Sequence, residues 1–119
     1  MTIETLENRF REREYLVELG APEFTSICPM TGGPDFGELT IRYVPDEKLF
    51  ELKSLRDYLT GFRERRILQE EVVNEVLERL VEDGAPHFVE VEGSFAARGG
   101  MTTRVVATSG QIPESWTSD

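Results

Sequence analysis

The chain contains very little cysteine and histidine. Its 119 residues include one cysteine, Cys28, and one histidine, His87. A single thiol cannot form a disulfide within its own chain, and no second thiol is available for a cysteine-rich zinc site. We therefore expect Cys28 to stay reduced, and we expect no bound metal.

Long apolar runs are also missing. No segment approaches the ~18 apolar residues of a membrane helix, and the opening stretch MTIETLENRFRERE lacks the apolar region of a secretory signal. These absences predict a cytoplasmic protein with no membrane partner. A hydrophobic content of 39% suits one modest core, so we expect a single domain over 1–119, with 1–14 and 110–119 peripheral.

Positive charge is scarce as well. Thirteen Lys and Arg residues against 23 Asp and Glu residues give a formal net charge of −10. Such a surface repels polyphosphate backbones, so we expect no direct nucleic-acid partner. Two basic stretches, RFRER at 9–13 and FRERR at 62–66, are typical of solvated helix faces. Either one also suits a phosphate-bearing small ligand.

Two-residue periodicity and β-branched residues predict four strands. Leu6 and Phe10, four residues apart, give only a weak helix signal before the first strand, which is expected to end at Gly20. The glycines of AARGG, at 96–100, suit a hairpin turn between the last two strands. The predicted strands are 14–19, 38–44, 87–95 and 101–110.

Apolar residues at helical spacing predict two helices between the second and third strands. The first covers 50–62, with Asp46 as a candidate cap. The second covers 69–84 and is closed by Gly84 and Pro86. The predicted order ββααββ favours an α+β fold, a four-stranded antiparallel sheet with both helices on one face. Its two open sheet edges predict a homo-oligomer.

The stretch TSICPMTGGPDFGEL, residues 25–39, raises the question of whether Cys28 is a nucleophile. Free cysteines are commonly packing residues, and an aspartate after proline is a routine turn residue. However, a cysteine in an irregular loop can attack electrophiles as a thiolate when a carboxylate such as Asp35 moves the proton. From the residues alone both interpretations remain open.

The stretch PEFTSICPMTGGPDFGELTIRYVPDEKLFELKSLRDYL resembles the core of the short, single-domain form of 7-cyano-7-deazaguanine reductase. The similarity extends over about residues 15–100. Three pieces carry it: the loop Pro-Glu-Phe-Thr-Ser-Ile-Cys-Pro at 22–29 with Asp35 following, the signature Glu-Leu-Lys-Ser at 51–54, and Arg-Gly-Gly at 98–100. The resemblance implies a ββααββ tunnelling fold whose subunits join sheet edge to sheet edge in rings.

The resemblance also implies the chemistry of nitrile reduction in queuosine biosynthesis. Cys28 would add to the nitrile carbon of 7-cyano-7-deazaguanine to form a thioimide, Asp35 would transfer protons, and two NADPH molecules would deliver hydride. The implied substrate-binding residues are Glu70, Gln69, Glu51 and Leu52. The implied cofactor-binding residues are Lys53, Ser54, Arg98 and Gly99, in a site between subunits. Taken alone, these residues would be ordinary surface or helix-start residues.

Three departures from the family pattern bear on this implied function. Gln69 stands where a histidine is usual, and glutamine cannot exchange a proton near neutrality. Val72 replaces a second cysteine, so an intramolecular protective disulfide of Cys28 is impossible. The tail of the signature, 56–58, differs from the usual Lys followed by an apolar or aromatic residue. The sole histidine, His87, matches no catalytic position of the family and is interpreted as structural.

These departures keep two alternatives open. A sister group of the same fold adds ammonia to the nitrile of the base in tRNA and forms the amidine of archaeosine. The third possibility is a non-catalytic oligomer that binds a purine or pterin. The signature at 51–54 and the net charge of −10 favour the reductase over the amidine-forming enzyme.

Overall fold

The computed structural model describes residues 2–116 of the chain. Two short strands, β1 and β4, form one small sheet, and four long strands form the main sheet in the order β2-β3-β5-β6. All neighbouring strands of the main sheet are antiparallel. The elements are β1 (Thr5–Glu7), β2 (Val17–Ile27), β3 (Pro34–Val44), β4 (Lys48–Phe50), α1 (Leu52–Thr60), α2 (Gln69–Gly84), β5 (Phe88–Arg98), β6 (Met101–Gly110) and a 3-10 turn (Glu114–Trp116).

The main sheet has one buried face and one open face. Leu39, Ile41 and Tyr43 alternate along β3 towards the core, where they meet the buried valines of β5 and the apolar sides of both helices. On the open face Arg42 forms ion pairs with Glu18, Glu90 and Glu92 of the neighbouring strands. The predicted α+β arrangement, with both helices on one face of a four-stranded antiparallel sheet, is confirmed.

The strands around the Cys28 loop are longer than the two-residue pattern indicates. β2 does not end at Gly20 but continues to Ile27, and β3 begins at Pro34. The register of β2 shifts between Ala21 and Phe24. This irregularity accommodates a proline within an edge strand, and it hides the continuation of the strand from its periodicity. The irregular loop is therefore confined to residues 28–33.

The N-terminal segment differs from the weak helix signal of Leu6 and Phe10. Residues Thr5–Glu7 form β1, in which Leu6 pairs with Leu49 of β4. Leu6 and Phe10 are both exposed, whereas Ile3 is only 1% exposed and belongs to the core. The helix prediction is wrong here because the two side chains that produced it do not face the core. Ile3 and Asn8 of this segment are both buried, and the division of the chain at residue 14 stays a prediction.

The ends of the helices correct two further expectations. Asp46 does not cap α1, because β4 intervenes; the Glu51 carboxylate accepts hydrogen bonds from the Lys53 and Ser54 amides, both at 2.8 Å. Gly84 is the last residue of α2, and Ala85 takes the left-handed conformation after it, with φ of 44°. A Cβ at Gly84 would lie 2.3 Å from Cζ of Phe50, so close packing explains this glycine. No helix within residues 2–116 is long and apolar enough to span a membrane.

Candidate active site

Cys28 and Asp35 are brought together by a tight loop between β2 and β3. The Cys28 amide donates to the Gly33 carbonyl at 2.9 Å, and the Gly32 amide donates to the Cys28 carbonyl at 2.8 Å. Gly32 has φ of 77°, a conformation that side chains rarely adopt. The loop therefore folds back on itself, and the last residue before it, Ile27, pairs across the sheet with Pro34.

A cleft of about 290 Å³ opens beside this loop. It is formed by the loop itself, the start of α2 and the hairpin between β5 and β6. The polar side chains that line it are Cys28, Thr31, Asp35, Gln69, Glu70, Arg98 and Thr103. Four residues that the resemblance assigns to catalysis or substrate binding thus share one cleft with Arg98, which it assigns to the cofactor.

Hydrogen-bond donors near the Cys28 sulfur stabilise its thiolate form. A hydrogen bond from the Thr31 side chain lowers the pKa of Cys28 most, followed by the amides of Thr31 and Met30. The charge of Asp35 acts in the opposite direction and raises the pKa of the thiol. The net shift is downward, which favours the nucleophilic form.

Asp35 is held by an arginine from β5. Its side chain is 5% exposed, and Nη1 of Arg98 lies 2.8 Å from Oδ1 of Asp35. This contact raises the pKa of Arg98. Arg98 also donates to the Pro34 carbonyl at 3.3 Å and to Oγ1 of Thr31 at 2.9 Å. In this structure Arg98 therefore belongs to the surroundings of Cys28, and the adjacent Gly99 forms the β5–β6 turn with φ of 59°.

The first turn of α2 supplies the opposite side of the cleft. The Glu71 carboxylate accepts a hydrogen bond from the Leu68 amide at 3.1 Å and closes the start of the helix. Glu70 accepts a hydrogen bond from Asn74 through its backbone carbonyl, and its carboxylate has no hydrogen-bond partner within residues 2–116. Glu70 is exposed and Gln69 is half-buried. Both side chains are thus available to a ligand in the cleft.

The signature residues 51–54 lie elsewhere. Leu52 and Lys53 line a second cavity, of about 560 Å³, between β2 and α1, and this lining shares no residue with the Cys28 cleft. Lys53 is 3.0 Å from Oδ2 of Asp57. The Ser54 hydroxyl donates to the Glu51 carbonyl and accepts from the Glu4 amide. One chain alone does not bring residues 51–54 to Cys28.

Sequence reasoning missed Thr31, which accepts a hydrogen bond from Arg98 and lowers the pKa of Cys28. The available signal was its position three residues after Cys28 in a loop too short to separate the two side chains. His87 lines neither cavity; it is half-exposed, with Nε2 3.4 Å from Oδ1 of Asp46.

Comparison with known proteins identifies relatives along nearly the whole chain. Residues 34–114 match the family model described as QueF-like protein. The chain is 50% identical over 105 residues to the NADPH-dependent 7-cyano-7-deazaguanine reductase of Thermoanaerobacter pseudethanolicus, covering 88% of this chain and 79% of the relative. The protein of the same name from Chlorobaculum tepidum is 43% identical over 112 residues, covering 94% of this chain and 96% of the relative.

The solved structures include a close match in fold. The archaeosine synthase QueF-Like, in its apo form, matches with a TM-score of 0.76 and 28% sequence identity, covering 82% of this chain and 96% of that one. This match confirms the predicted tunnelling fold. The matching family model and the relatives of up to 50% identity show that the chain belongs to the QueF-like family.

Proposed function

We propose that this chain reduces the nitrile of 7-cyano-7-deazaguanine to the primary amine of 7-aminomethyl-7-deazaguanine, with NADPH as the reductant. The relatives named above carry this activity in their names. The observation that carries the proposal is the shared cleft, in which Cys28 and the buried carboxylate of Asp35 face Gln69 and Glu70.

Cys28 is the nucleophile of the proposed reaction. Its thiolate forms a C–S bond to the nitrile carbon while the nitrile nitrogen takes a proton, which gives a thioimide. NADPH, when bound, supplies two hydrides in succession. Between them the Cys28 sulfur leaves the carbon and returns as thiolate, so the second addition meets an imine. Covalent capture thereby divides one difficult reduction into two easier steps.

Asp35 is the proposed proton carrier. It lies at the start of β3 in the same cleft as Cys28, buried from bulk water. A carboxyl group within reach of the reacting nitrogen can deliver protons as that nitrogen gains negative charge. Gln69 can donate a hydrogen bond to the same nitrogen but cannot supply a proton near neutrality. The proton transfers are therefore assigned to Asp35.

Glu70 is the residue proposed to recognise the heterocyclic base of the substrate. A carboxylate can accept two parallel hydrogen bonds, from the ring N–H and the exocyclic amine of a guanine-like heterocycle. The Glu70 carboxylate has no hydrogen-bond partner within residues 2–116, so it is available for this pairing. Glu51 and Leu52 would approach the substrate only from a neighbouring subunit.

The cavity between β2 and α1 fits NADPH by the chemistry of its lining. Its floor is apolar, with Ile41, Leu55 and Leu59, and its rim carries Lys53, Arg56 and Arg63. Apolar surface suits the flat rings of a dinucleotide, and the three cations suit its phosphates. Lys53 is the proposed principal phosphate contact. Ser54, whose hydroxyl is engaged within the chain, holds the start of α1 in place.

We further propose that the active enzyme is a homo-oligomer with sites between subunits. The strands β2 and β6 are the open edges of the main sheet, and such edges are usually covered by pairing. Exposed apolar side chains lie on or beside them, among them Leu16, Met101 and Val106. Edge-to-edge association would cover these side chains and join a Cys28 cleft to a neighbouring signature.

The test is NADPH consumption with 7-cyano-7-deazaguanine, compared between the native chain and Cys28→Ala. We expect the native chain to oxidise two equivalents of NADPH per substrate and the variant to oxidise none. Thr40→Val, on the open face of β3, serves as the matched control and should retain activity. Native protein that binds the substrate and oxidises no NADPH would contradict the proposal.

One observation favours a second candidate. The structural neighbour named above is an archaeosine synthase, and an amidine-forming enzyme would also use a cysteine and an aspartate without hydride transfer. A thioimide absorbance with no NADPH oxidation, followed by reaction with ammonia on tRNA, would identify this activity. Substrate binding with no adduct would leave only a binding protein.

A further inference from the structure

Two hydrogen bonds to the oxygen of Thr31 fix the orientation of its hydroxyl group. Oγ1 of Thr31 accepts one hydrogen bond from Nη2 of Arg98 at 2.9 Å and a second from the Gly33 amide at 3.2 Å. A hydroxyl has two acceptor lone pairs and one proton. Both lone pairs are therefore used, and the proton is left to donate. Cys28, three residues earlier in the same loop, lines the same cleft as Thr31, and a hydrogen bond from the Thr31 side chain lowers the pKa of its thiol.

Arg98 makes these contacts as a planar fork. Nη1 binds Oδ1 of Asp35 at 2.8 Å while Nη2 binds Thr31, so one guanidinium joins the proton carrier to the loop that carries the nucleophile. Asp35 is buried and cannot follow a displaced partner. A guanidinium presents several donors in a fixed plane, whereas an ammonium is a single point charge. A lysine at this position could not reproduce both contacts.

We propose that Arg98 is a positioning residue that points the Thr31 hydroxyl at Cys28, so that Thr31 holds the sulfur as a thiolate before substrate arrives. This inference rests on the proposed function, in which Cys28 attacks the nitrile. It gives Arg98 a task in the Cys28 cleft besides the cofactor contact that the resemblance implies, and it adds Thr31 to the site. In this proposal Thr31 acts on the sulfur directly, and Arg98 acts on it through Thr31 and by its charge.

The charges around Cys28 decide the direction of each effect. Asp35, from β3, raises the pKa of the thiol, and the guanidinium of Arg98, from β5, offsets that carboxylate. Glu70 on α2 lines the same cleft, and the guanidinium of Arg66 lies against Gly32. Removal of Thr31's hydroxyl changes none of these charges. Its loss therefore isolates the hydrogen bond from the electrostatic surroundings.

The first test measures the rate at which iodoacetamide alkylates Cys28 as a function of pH, in protein without substrate or cofactor. We expect Thr31→Val and Thr31→Ala to move the midpoint to higher pH and to slow alkylation at pH 7 about tenfold, as expected when a hydrogen bond to a charged acceptor is lost. Thr31→Ser keeps the hydroxyl and should behave as the native chain, and Thr40→Val is the matched control. An unchanged midpoint in folded Thr31→Val and Thr31→Ala would overturn the proposal.

The second test separates the effect of the two guanidinium donors of Arg98 from the effect of its positive charge. Arg98→Lys keeps the positive charge but cannot hold Asp35 and Thr31 together, so we expect its midpoint to rise in the native background. In the Thr31→Val background the same substitution should cause no further rise. A midpoint in Arg98→Lys equal to that of the native chain, or an equal rise in both backgrounds, would show that Arg98 does not act through Thr31.

These measurements are independent of nitrile reduction. The alkylation rate reports the reactivity of the Cys28 sulfur in protein without substrate or cofactor. The effects of Thr31 and Arg98 on that rate can therefore be measured even if the chain oxidises no NADPH. Conversely, full nitrile reduction with unchanged alkylation profiles would leave the proposed function standing and remove the positioning role. Melting temperatures of all variants confirm that the compared proteins are folded.

Discussion

At the scale of single residues, Gln69 is the most informative position of the cleft. It begins α2 and lines the same cleft as Cys28. Gln69→His would place a group that exchanges protons near neutrality beside the nitrile nitrogen. We expect kcat to be preserved or raised, at most by the roughly 10²-fold that a positioned general acid contributes. The measurement is the pH dependence of kcat for NADPH oxidation.

The control for this substitution is Gln69→Leu, which removes hydrogen bonding without adding a titratable group and should lower kcat. A clear fall in kcat with Gln69→His would contradict the expectation. It would show that the glutamine amide makes a specific contact in this chain, which a bulkier ring disturbs.

Cys28 and Asp35 could be proposed as a pair from the sequence, because they flank the irregular stretch that joins two predicted strands. In the structure Cys28 begins the loop at 28–33 and Asp35 is the second residue of β3, and their catalytic roles stay predictions. The contact between Arg98 and Asp35 could not be predicted from the sequence. The two residues are 63 positions apart, and they meet only because β5 pairs with β3 and continues beyond that pairing to Arg98. The two-residue pattern of a strand shows which face each residue takes, but not which residue of a distant strand lies beside it. The cofactor role implied for Arg98 stays a prediction.

At the scale of elements, the junction of α2 with β4 depends on Gly84. A methyl group there would lie 2.3 Å from Cζ and 2.5 Å from Cε1 of Phe50. Phe50 is buried, with its ring centroid 4.8 Å from that of Tyr43, so it has little room to move. We expect Gly84→Ala to lower the free energy of unfolding by roughly 2 kcal/mol, because overpacking exceeds the gain in helix propensity. Urea denaturation measures it.

Gly20→Ala is the matched comparison for that substitution. A Cβ at Gly20 would meet nothing within 4 Å in the same chain. We therefore expect its unfolding free energy to equal that of the native chain or to exceed it slightly. If Gly84→Ala were as stable as Gly20→Ala, Phe50 would have to yield more easily than its packing indicates.

The start of α1 makes stability depend on pH through Glu51. Hydrogen bonds from the Lys53 and Ser54 amides lower the pKa of this carboxyl from its ordinary value of 4.5. Since the pKa is lower in the folded state, the carboxylate contributes stability above the unfolded value, and that contribution is lost as pH falls through the folded value. Glu51→Gln should lower the melting temperature at pH 7, with a difference that narrows below about pH 4.5.

A calorimetric pH series of both proteins checks this expectation. A melting-temperature difference that stayed constant from neutral to acidic pH would mean that the charge of Glu51 contributes nothing to the cap. Glu38→Gln, at an exposed position of β3, is a control for the loss of one carboxylate outside α1.

The predictability of the elements follows their length. Helix α2 has 16 residues, and its apolar side chains repeat often enough to define its bounds. The strands β1 and β4 have three residues each, too few for any period to show. The sequence therefore places Asp46 directly before the helix and misses β4 between them. Short strands are specified by pairing with each other, here Thr5 with Phe50, and not by local pattern.

At the scale of the whole molecule, the separation of the two cavities is the main constraint on function. Cys28, the proposed nucleophile, lines a cleft at the β2–β3 loop, while Lys53 lines the cavity between β2 and α1. In the proposed reaction, hydride transfer requires the cofactor to reach the thioimide on Cys28, and one chain does not bring Lys53 and Cys28 together. The open edges β2 and β6 offer a route, since their pairing would place a neighbour's signature near the cleft.

This arrangement predicts that two inactive variants can restore each other. Cys28→Ala subunits keep the signature, and Lys53→Ala subunits keep the nucleophile, so a mixed oligomer contains some sites with both. With random mixing of equal amounts, one half of the sites have an intact Cys28 and one half of those face an intact Lys53. We therefore expect about one quarter of the native NADPH oxidation after dissociation and joint reassembly, provided each site takes one residue from each of two subunits. Sites built within one chain would give no recovery above the sum of the separate variants, and reassembly of each variant alone provides that baseline.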